Sequence, residues 1–309
     1  MAIYYSISDL PEFLRPAITI GTFDGVHLGH KVILNKVSEH AKAIGGESVL
    51  LTFEPHPRKL IFPDQHIPIL TPLDKKLQLV TETGIQHIVV VPFTKEFAAM
   101  SAEEYISGFL VKTFKPGAII IGYDHHFGHD RTGNIHLLKK MQAEYGFEVV
   151  EIPAQLIDDA AVSSTKVRNA IAAGHVEEAA HMLGRNYTLA GRVQKGAQLG
   201  RRIGYPTANI MPAHNEQLIP ANGVYAVQVL YKGQTYCAML NIGYRPTVST
   251  EQTLHIEAHI FNFSADVYGE EMEIIFVARL RDEQRFNSVD ELKAQLKNDE
   301  IAAKNVLNA

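Results

Sequence analysis

The 309-residue sequence predicts two domains: an α/β domain built on a doubly wound parallel sheet over residues 1–184, then an antiparallel β-barrel with a closing helix over residues 185–309. Two observations carry this. Up to residue 184, strand-length apolar runs alternate with amphipathic helical patterns, as in a parallel sheet covered on both faces. After Arg185, glycine-punctuated runs rich in Val, Ile and Tyr follow one another with short turns and no helix between them, as in an antiparallel barrel.

In chain order, AITIGTF (17–23), SVLLTF (48–53), HIVVVPF (87–93), GAIIIGY (117–123) and FEVVEI (147–152) read as strands. Each is a continuous apolar run rather than an alternating one, which suits burial on both faces. HKVILNKVSEHAKAIG, PLDKKLQLVTETG, SAEEYISGFLVKTF and NIHLLKKMQAEYG read as helices, several opening on Ser, Thr or Asn and three ending at glycine. SSTKVRNAIAAG and VEEAAHMLG are further helical patterns that close this half. YTLAGRVQKG, GVYAVQVLYKG, QTYCAMLNIG, LHIEAHIFNF and EMEIIFVARL then read as barrel strands. The final helix, SVDELKAQLKNDEIAAKNVL, is predicted to take Ser288 as its N-cap.

Composition narrows the function. A net charge of −5 provides no basic field for nucleic acid or an anionic membrane, so neither is an expected partner. The N-terminal stretch has no basic segment followed by an apolar one, and no apolar run approaches the length of a membrane span. Cys237 is alone, which rules out a disulfide framework or a thiolate zinc site within one chain and fits a reducing cytoplasm. Nothing here names a protein partner, and self-association is left open.

The chemistry-bearing stretches begin with GTFDGVHLGH (21–30), where the first long strand hands over to its helix. Free N–H groups and the positive end of the helix dipole point there, and phosphate is the natural guest. His27 and His30 lie on one helical face, and Gly29 has no side chain to obstruct close approach. The plainer alternative is two surface histidines and a turn glycine. VSSTKVRNAI (162–171) puts hydroxyls at a helix start with Lys166 and Arg168 in its first turns, a second phosphate cue or simply a well-capped helix.

In the second half, GRVQKGAQLGRRIGYPTANI (191–210) lacks the Gly-Lys-Ser/Thr of a Walker loop. Pro206 favours extended chain, so Thr207 and Asn209 project to the same side and offer oxygen donors to Mg²⁺, or the stretch is simply a glycine-rich hairpin followed by a turn. In LHIEAHIF, Leu254, Ile256, Ala258 and Ile260 share one face, and His255, Glu257 and His259 share the other. Glu257 is therefore either solvated or a base. GYDHHFGHDRTG (122–133) resembles a metal nest, but it has neither an HExxH pattern nor a thiolate and reads better as an active-site loop near ATP.

GTFDGVHLGH, TFEPHP (52–57), the loop at 122–128, VSSTKVR, GRRIGYPTAN, GVYAV, NIGYRPT and the closing EAHIFNFSADVYGEEMEIIFVARLRDEQRF occur in that order. Together they resemble the bacterial bifunctional riboflavin kinase/FAD synthetase family across essentially the whole chain. HxGH alone is shared by many nucleotidyltransferases; GRxxGxPTAN with NIGxRPT is far more specific.

The resemblance implies a Rossmann-like nucleotidyltransferase domain followed by a six-stranded flavokinase barrel. The barrel would phosphorylate riboflavin to FMN, and the first domain would adenylylate FMN to FAD, with ATP as co-substrate and Mg²⁺ as cofactor. ATP in the first domain would meet Gly21, Phe23, Asp24, Gly25, Gly29, Asp124, Ser163, Ser164 and Thr165, with His27, His30, Lys166 and Arg168 acting on its phosphates. Phe53, Pro55, His56 and Pro57 would contact the flavin being adenylylated. In the barrel, Gly196, Gly200, Arg201 and Gly204 would bind ATP, Thr207 and Asn209 the metal, and Glu257 would be the base. Arg281 and Phe286 lie where the family has its flavin-covering loop. One departure is Asp124, where many members carry asparagine; a carboxylate beside a triphosphate adds repulsion unless a metal or donor answers it. Two other readings are a kinase whose first domain is inactive or has another specificity, and a flavin-sensing binding protein.

Overall fold

The computed structural model describes residues 1–65, 67–123, 125–153, 162–196, 200, 203–245 and 253–308. It separates into two compact units, Met1–Ser164 and Thr165–Ala309.

In the first unit, β1 (Ala2–Tyr4), β2 (Ala17–Ile20), β3 (Ser48–Glu54), β4 (His87–Pro92), β5 (Ala118–Gly122) and β6 (Glu148–Ile152) form one sheet in the order β1-β4-β3-β2-β5-β6. Every adjacent pair is parallel. For β2 to β5 the continuous apolar runs have the predicted cause, whereas β6, an edge strand, is mostly half-buried or exposed and does not fit burial on both faces. Ile18, Leu51, Val89 and Ile119 enter one core with Phe109, Leu110 and Leu138, while Ala17, Leu50, Ile88 and Ile120 enter another with Leu34, Val37 and Leu77. Each such large apolar side chain contributes about 1.5–3 kcal/mol by leaving water.

The covering helices are α1 (Leu28–Ala43), α2 (Pro57–Ile61), α3 (Leu73–Thr81), α4 (Lys95–Ala98), α5 (Ala102–Glu104), α6 (Lys112–Phe114) and α7 (Ile135–Tyr145). The single helix predicted over 101–114 is helical there but not uniformly α: Tyr105–Val111 is wound as a π-helix between α5 and α6. A capping box at Ser101 and Glu104 starts this run, and Lys115, at φ 47°, ends it.

From β2 the chain steps outward to β3 and β4, then returns to β5 on the other side of β2. That reversal opens a crevice at the carboxyl ends of β2 and β5, the place where doubly wound sheets bind ligands. GTFDGVHLGH follows β2 and GYDHHFGHD spans the end of β5, so both sequence-selected loops lie at this switch point.

At the boundary begins α8 (Ser164–Ala172), followed by α9 (Val176–Leu183). In the second unit, β7 (Tyr187–Gln194), β8 (Ala208–Pro212), β9 (Gly223–Tyr231), β10 (Gln234–Arg245), β11 (Thr253–Ile260) and β12 (Glu271–Arg281) close an antiparallel barrel in the order β10-β11-β8-β7-β12-β9. Leu189, Val193, Val227, Leu240, Ile256, Ala258 and Ile274 are all buried in the barrel strands. The helix α10 (Val289–Leu307) covers one outer stretch, with Ala303 against Ala226, Met239 and Phe261. Ser288 is its N-cap as predicted, its hydroxyl accepting the Glu291 N–H at 3.1 Å.

Candidate functional sites

The loop after β2 is an unusual piece of backbone. Phe23, Gly25 and Val26 have φ of 48°, 91° and 40°. A β-branched residue in that region costs on the order of 1–3 kcal/mol and persists only where its surroundings impose it. The surroundings do. The buried Asp24 carboxylate accepts the Leu70 N–H at 3.0 and 3.1 Å and the Thr71 N–H at 3.0 Å, and its backbone carbonyl accepts the Ser164 hydroxyl at 2.9 Å. The Asp24 carboxylate is thus held among backbone donors. Gly21 is required by crowding, since an added Cβ would lie 2.9 Å from the Phe23 ring.

This loop delivers the two histidines together. His27 is the N-cap of α1, its Nδ1 accepting the His30 N–H at 3.3 Å. With Nδ1 as acceptor, the neutral ring carries its proton on Nε2, which gives a donor at a helix N-terminus. The His27 and His30 rings stack with centroids 3.6 Å apart, and Phe23 lies 4.9 Å from His30. His27 and Gly29 are buried and His30 half-buried. Ser163 and Thr165 are exposed beside the half-buried Ser164; on α8, Lys166 is exposed and Arg168 half-buried.

Sequence reasoning missed Lys76. In α3 it reads as a solvated lysine, yet it is buried, with Nζ donating to the Thr22 carbonyl at 3.2 Å and to the Thr52 hydroxyl at 3.1 Å. Burial pushes its ammonium below the usual lysine range, opposed by the Glu54 and Asp24 carboxylates. No local signal in DKKLQ separates Lys76 from Lys75; only the adjacent Thr22 and Thr52 segments define it.

The TFEPHP residues divide. Phe53 is buried against Phe93 and Phe97 at centroid distances of 5.4 and 5.7 Å, so its ring belongs to the core. Pro55 is exposed; His56 caps α2 by accepting the Arg58 N–H at 3.2 Å, with Pro57 as the first helical residue. Asp124 lies outside the described residues. Beyond it, Phe127 and Gly133 exchange backbone hydrogen bonds, and Gly128 at φ 72° passes so close that a Cβ would stand 2.7 Å from the Ala102 Cα. Among the described residues, His125, His126, His129 and Asp130 included, no group of three or more His, Cys, Asp or Glu could hold a metal ion.

On the barrel, strand register assembles the second site. Ile256, Ala258 and Ile260 are buried, while His255, Glu257 and His259 on the alternate face are half-buried. Glu257 pairs with Asn209 of β8 on one side and Asn241 of β10 on the other. The Thr207 hydroxyl donates to the Glu257 carboxylate at 3.3 Å. A Cβ on Gly196 would overlap the Asn209 amide, and one on Gly200 would overlap the Tyr205 carbonyl, so at both positions the backbone passes too close to its neighbour for a side chain. Gly204 at φ 90° supplies the turn before Pro206. The Thr207 hydroxyl and the Asn209 amide oxygen are hard oxygen donors, a pair that fits Mg²⁺ retaining phosphate ligands, with the Glu257 carboxylate beside them. Arg201 lies outside the described residues.

Arg281 has a strong partner already. Its Nε and Nη2 donate to the two Asp299 oxygens at 2.8 and 2.7 Å, and Gln295 donates to Asp299 at 2.8 Å. Asp299 is a buried carboxylate on α10, and the Arg281 guanidinium lies 5.9 Å from the Phe286 ring centre. Arg281 and Phe286 are therefore adjacent, with the arginine fixed from behind.

Fold and sites together define a two-domain phosphate-handling transferase: a nucleotidyltransferase-type sheet joined to a kinase barrel. Residues 12–166 match the family model of FAD synthetase, and residues 183–307 match that of riboflavin kinase. The bifunctional riboflavin kinase/FMN adenylyltransferase of Escherichia coli (strain K12) is 38% identical over 93% of this chain and 91% of its own length. That of Pseudomonas fluorescens is 36% identical, covering 95% and 94%. A crystal structure described as a macrolide-efflux protein from Streptococcus pneumoniae superposes with a TM-score of 0.88, at 30% identity and 98% coverage of both chains. Among the described residues, no helix of this chain is long and apolar enough to cross a membrane. The chain belongs to the bifunctional riboflavin kinase/FMN adenylyltransferase family, and both of its domains support FAD biosynthesis through FMN.

Proposed function

We propose that the two reactions use two independent sites: phosphorylation of riboflavin in residues 185–309 around Glu257, and adenylylation of FMN in residues 1–184 around His27 and His30. The observation that supports this best is the Thr207–Glu257 contact of 3.3 Å, on strands that also pair Glu257 with Asn209. A base and the oxygen donors for a metal nucleotide are thereby neighbours on one outer barrel face.

In the kinase step the ribityl 5′-hydroxyl attacks the γ-phosphorus of ATP, Glu257 takes the hydroxyl proton, and ADP leaves. Thr207 and Asn209 would hold Mg²⁺ together with phosphate oxygens, and the ion supplies charge neutralisation there. Gly196, Gly200, Arg201 and Gly204 serve the nucleotide, and Arg281, steadied by Asp299, lies with Phe286 over the flavin. In the transferase step an oxygen of the FMN phosphate attacks the α-phosphorus and pyrophosphate leaves. That oxygen is already anionic, so the residues position and neutralise rather than abstract a proton. Nε2–H of His27, the His30 ring, Lys166 and Arg168 donate to phosphate oxygens, while Pro55, His56 and Pro57 face the flavin. Gly21, Gly25 and Gly29 let the nucleotide approach the backbone, and Asp124 occupies the usual asparagine position as a hydrogen-bond acceptor. We place the enzyme in the cytoplasm, where ATP is made and a lone cysteine stays reduced.

Paired variants test the assignment. His27→Ala with His30→Ala should cut FAD formation about 10²-fold or more and leave FMN formation intact; Glu257→Gln should do the reverse. Loss of both activities in either folded variant would refute independent sites.

A further inference from the structure

Lys76 is a buried charge in the first unit that the reaction scheme leaves unused. Only 6% of it is exposed, and lysine is among the residues least often buried. Its ammonium is satisfied by two groups from two separate segments, the loop after β2 and the end of strand β3. The Thr22 carbonyl lies in the segment that leads from β2 to His27 and His30, and the Thr52 hydroxyl lies just before Phe53, Glu54 and Pro55. Thr52, fully buried, also donates to the Thr22 carbonyl at 3.3 Å, so the three groups close a small ring of hydrogen bonds. The same stretch of chain grips the first loop a second time, through the Leu70 and Thr71 N–H groups on Asp24. Apolar packing alone could join these segments; a buried cation adds direction, because its donors reach both only in one relative placement.

We infer that Lys76 is a positioning residue for adenylyl transfer, fixing the nucleotide loop that leads to His27 against the flavin loop that leads to His56. The inference rests on the assignment of those loops proposed above. In-line attack needs the two substrates held within a fraction of an ångström, and a small misplacement costs rate steeply.

The test is steady-state FAD formation by the full chain, with FMN formation from riboflavin as the internal control. Lys76→Met should raise the KM for FMN about tenfold and lower kcat as well, while Lys76→Arg, which keeps a donor and the charge, recovers part of both. FMN formation should stay within about twofold of wild type. A merely structural lysine would reduce the folded fraction, and so the apparent kcat, with KM unchanged; that result overturns the inference. Should Lys76→Met fail to fold, Thr52→Val decides, since it removes one arm of the ring and leaves the lysine: a KM for FMN raised about threefold supports the inference, and an unchanged one refutes it. The His27→Ala, His30→Ala variant is run beside them. If it retains FAD formation, the site assignment fails; if it is inactive while Lys76→Met behaves as wild type, only the inference fails.

Discussion

Gly196 shows how a single missing side chain can build a site. A Cβ there would run into the Asn209 amide, the group opposite Glu257 in the strand register. Glycine thus lets the backbone at position 196 approach Asn209. Gly196→Ala should displace either the loop or Asn209 and lower kcat/KM of riboflavin phosphorylation about tenfold or more, chiefly through ATP, with conversion of supplied FMN to FAD unchanged. Kinetics against ATP would check this, and a KM for ATP within experimental error of wild type would count against the crowding argument. Glu47 gives a residue whose effect depends on pH. Its carboxylate accepts the Leu14 N–H at 2.7 Å and pairs with the His87 Nε2 at 3.2 Å. The backbone N–H of Leu14, and next His87, hold Glu47 below its usual value of 4.5 against the opposing effect of burial. Because the folded state lowers the value, the stabilisation is complete above the unfolded value and fades as pH falls through the folded one. Glu47→Gln should therefore cost about 1 kcal/mol near neutrality and progressively less in acid as the carboxylate is protonated, read from urea midpoints at neutral and acidic pH. An equal gap at both would contradict it.

At the scale of elements, legibility followed the strength of the local pattern. The long parallel strands announced themselves because burial on both faces leaves an unbroken apolar run, as in HIVVVP of β4. β1 did not, being three half-buried residues at the edge of the sheet. β8 was foreseen as extended chain from Pro206 and Thr207, but its five residues carry no alternation that separates a strand from a loop. The π-wound stretch at Tyr105–Val111 has the composition of an ordinary helix, since one extra residue per turn changes spacing and not chemistry. For the sites, residue type pointed to His27, His30, Thr207, Asn209 and Glu257, all on motifs with fixed local spacing. What spacing could not supply was contact between distant segments. The 3.3 Å approach of Thr207 to Glu257 depends on the register of β8 against β11, and the burial of Lys76 depends on a loop and a strand far from it in sequence. The pairing of Arg281 with Asp299 was invisible for the same reason.

At the scale of the whole molecule, two units with unlike architectures each bury their own core, and the proposed reactions are divided between the two domains. The two activities should therefore be separable by mutation yet joined by a shared intermediate, FMN, which leaves one site as product and enters the other as substrate. The measurement that tests this most directly is a time course of riboflavin with Mg-ATP and the full chain, resolving riboflavin, FMN and FAD by chromatography and assaying pyrophosphate. The expected result is FMN rising first, then FAD appearing at the expense of FMN with one pyrophosphate released per FAD. FMN that accumulates with no FAD at any time or enzyme concentration, or FAD formed without pyrophosphate, would contradict the account.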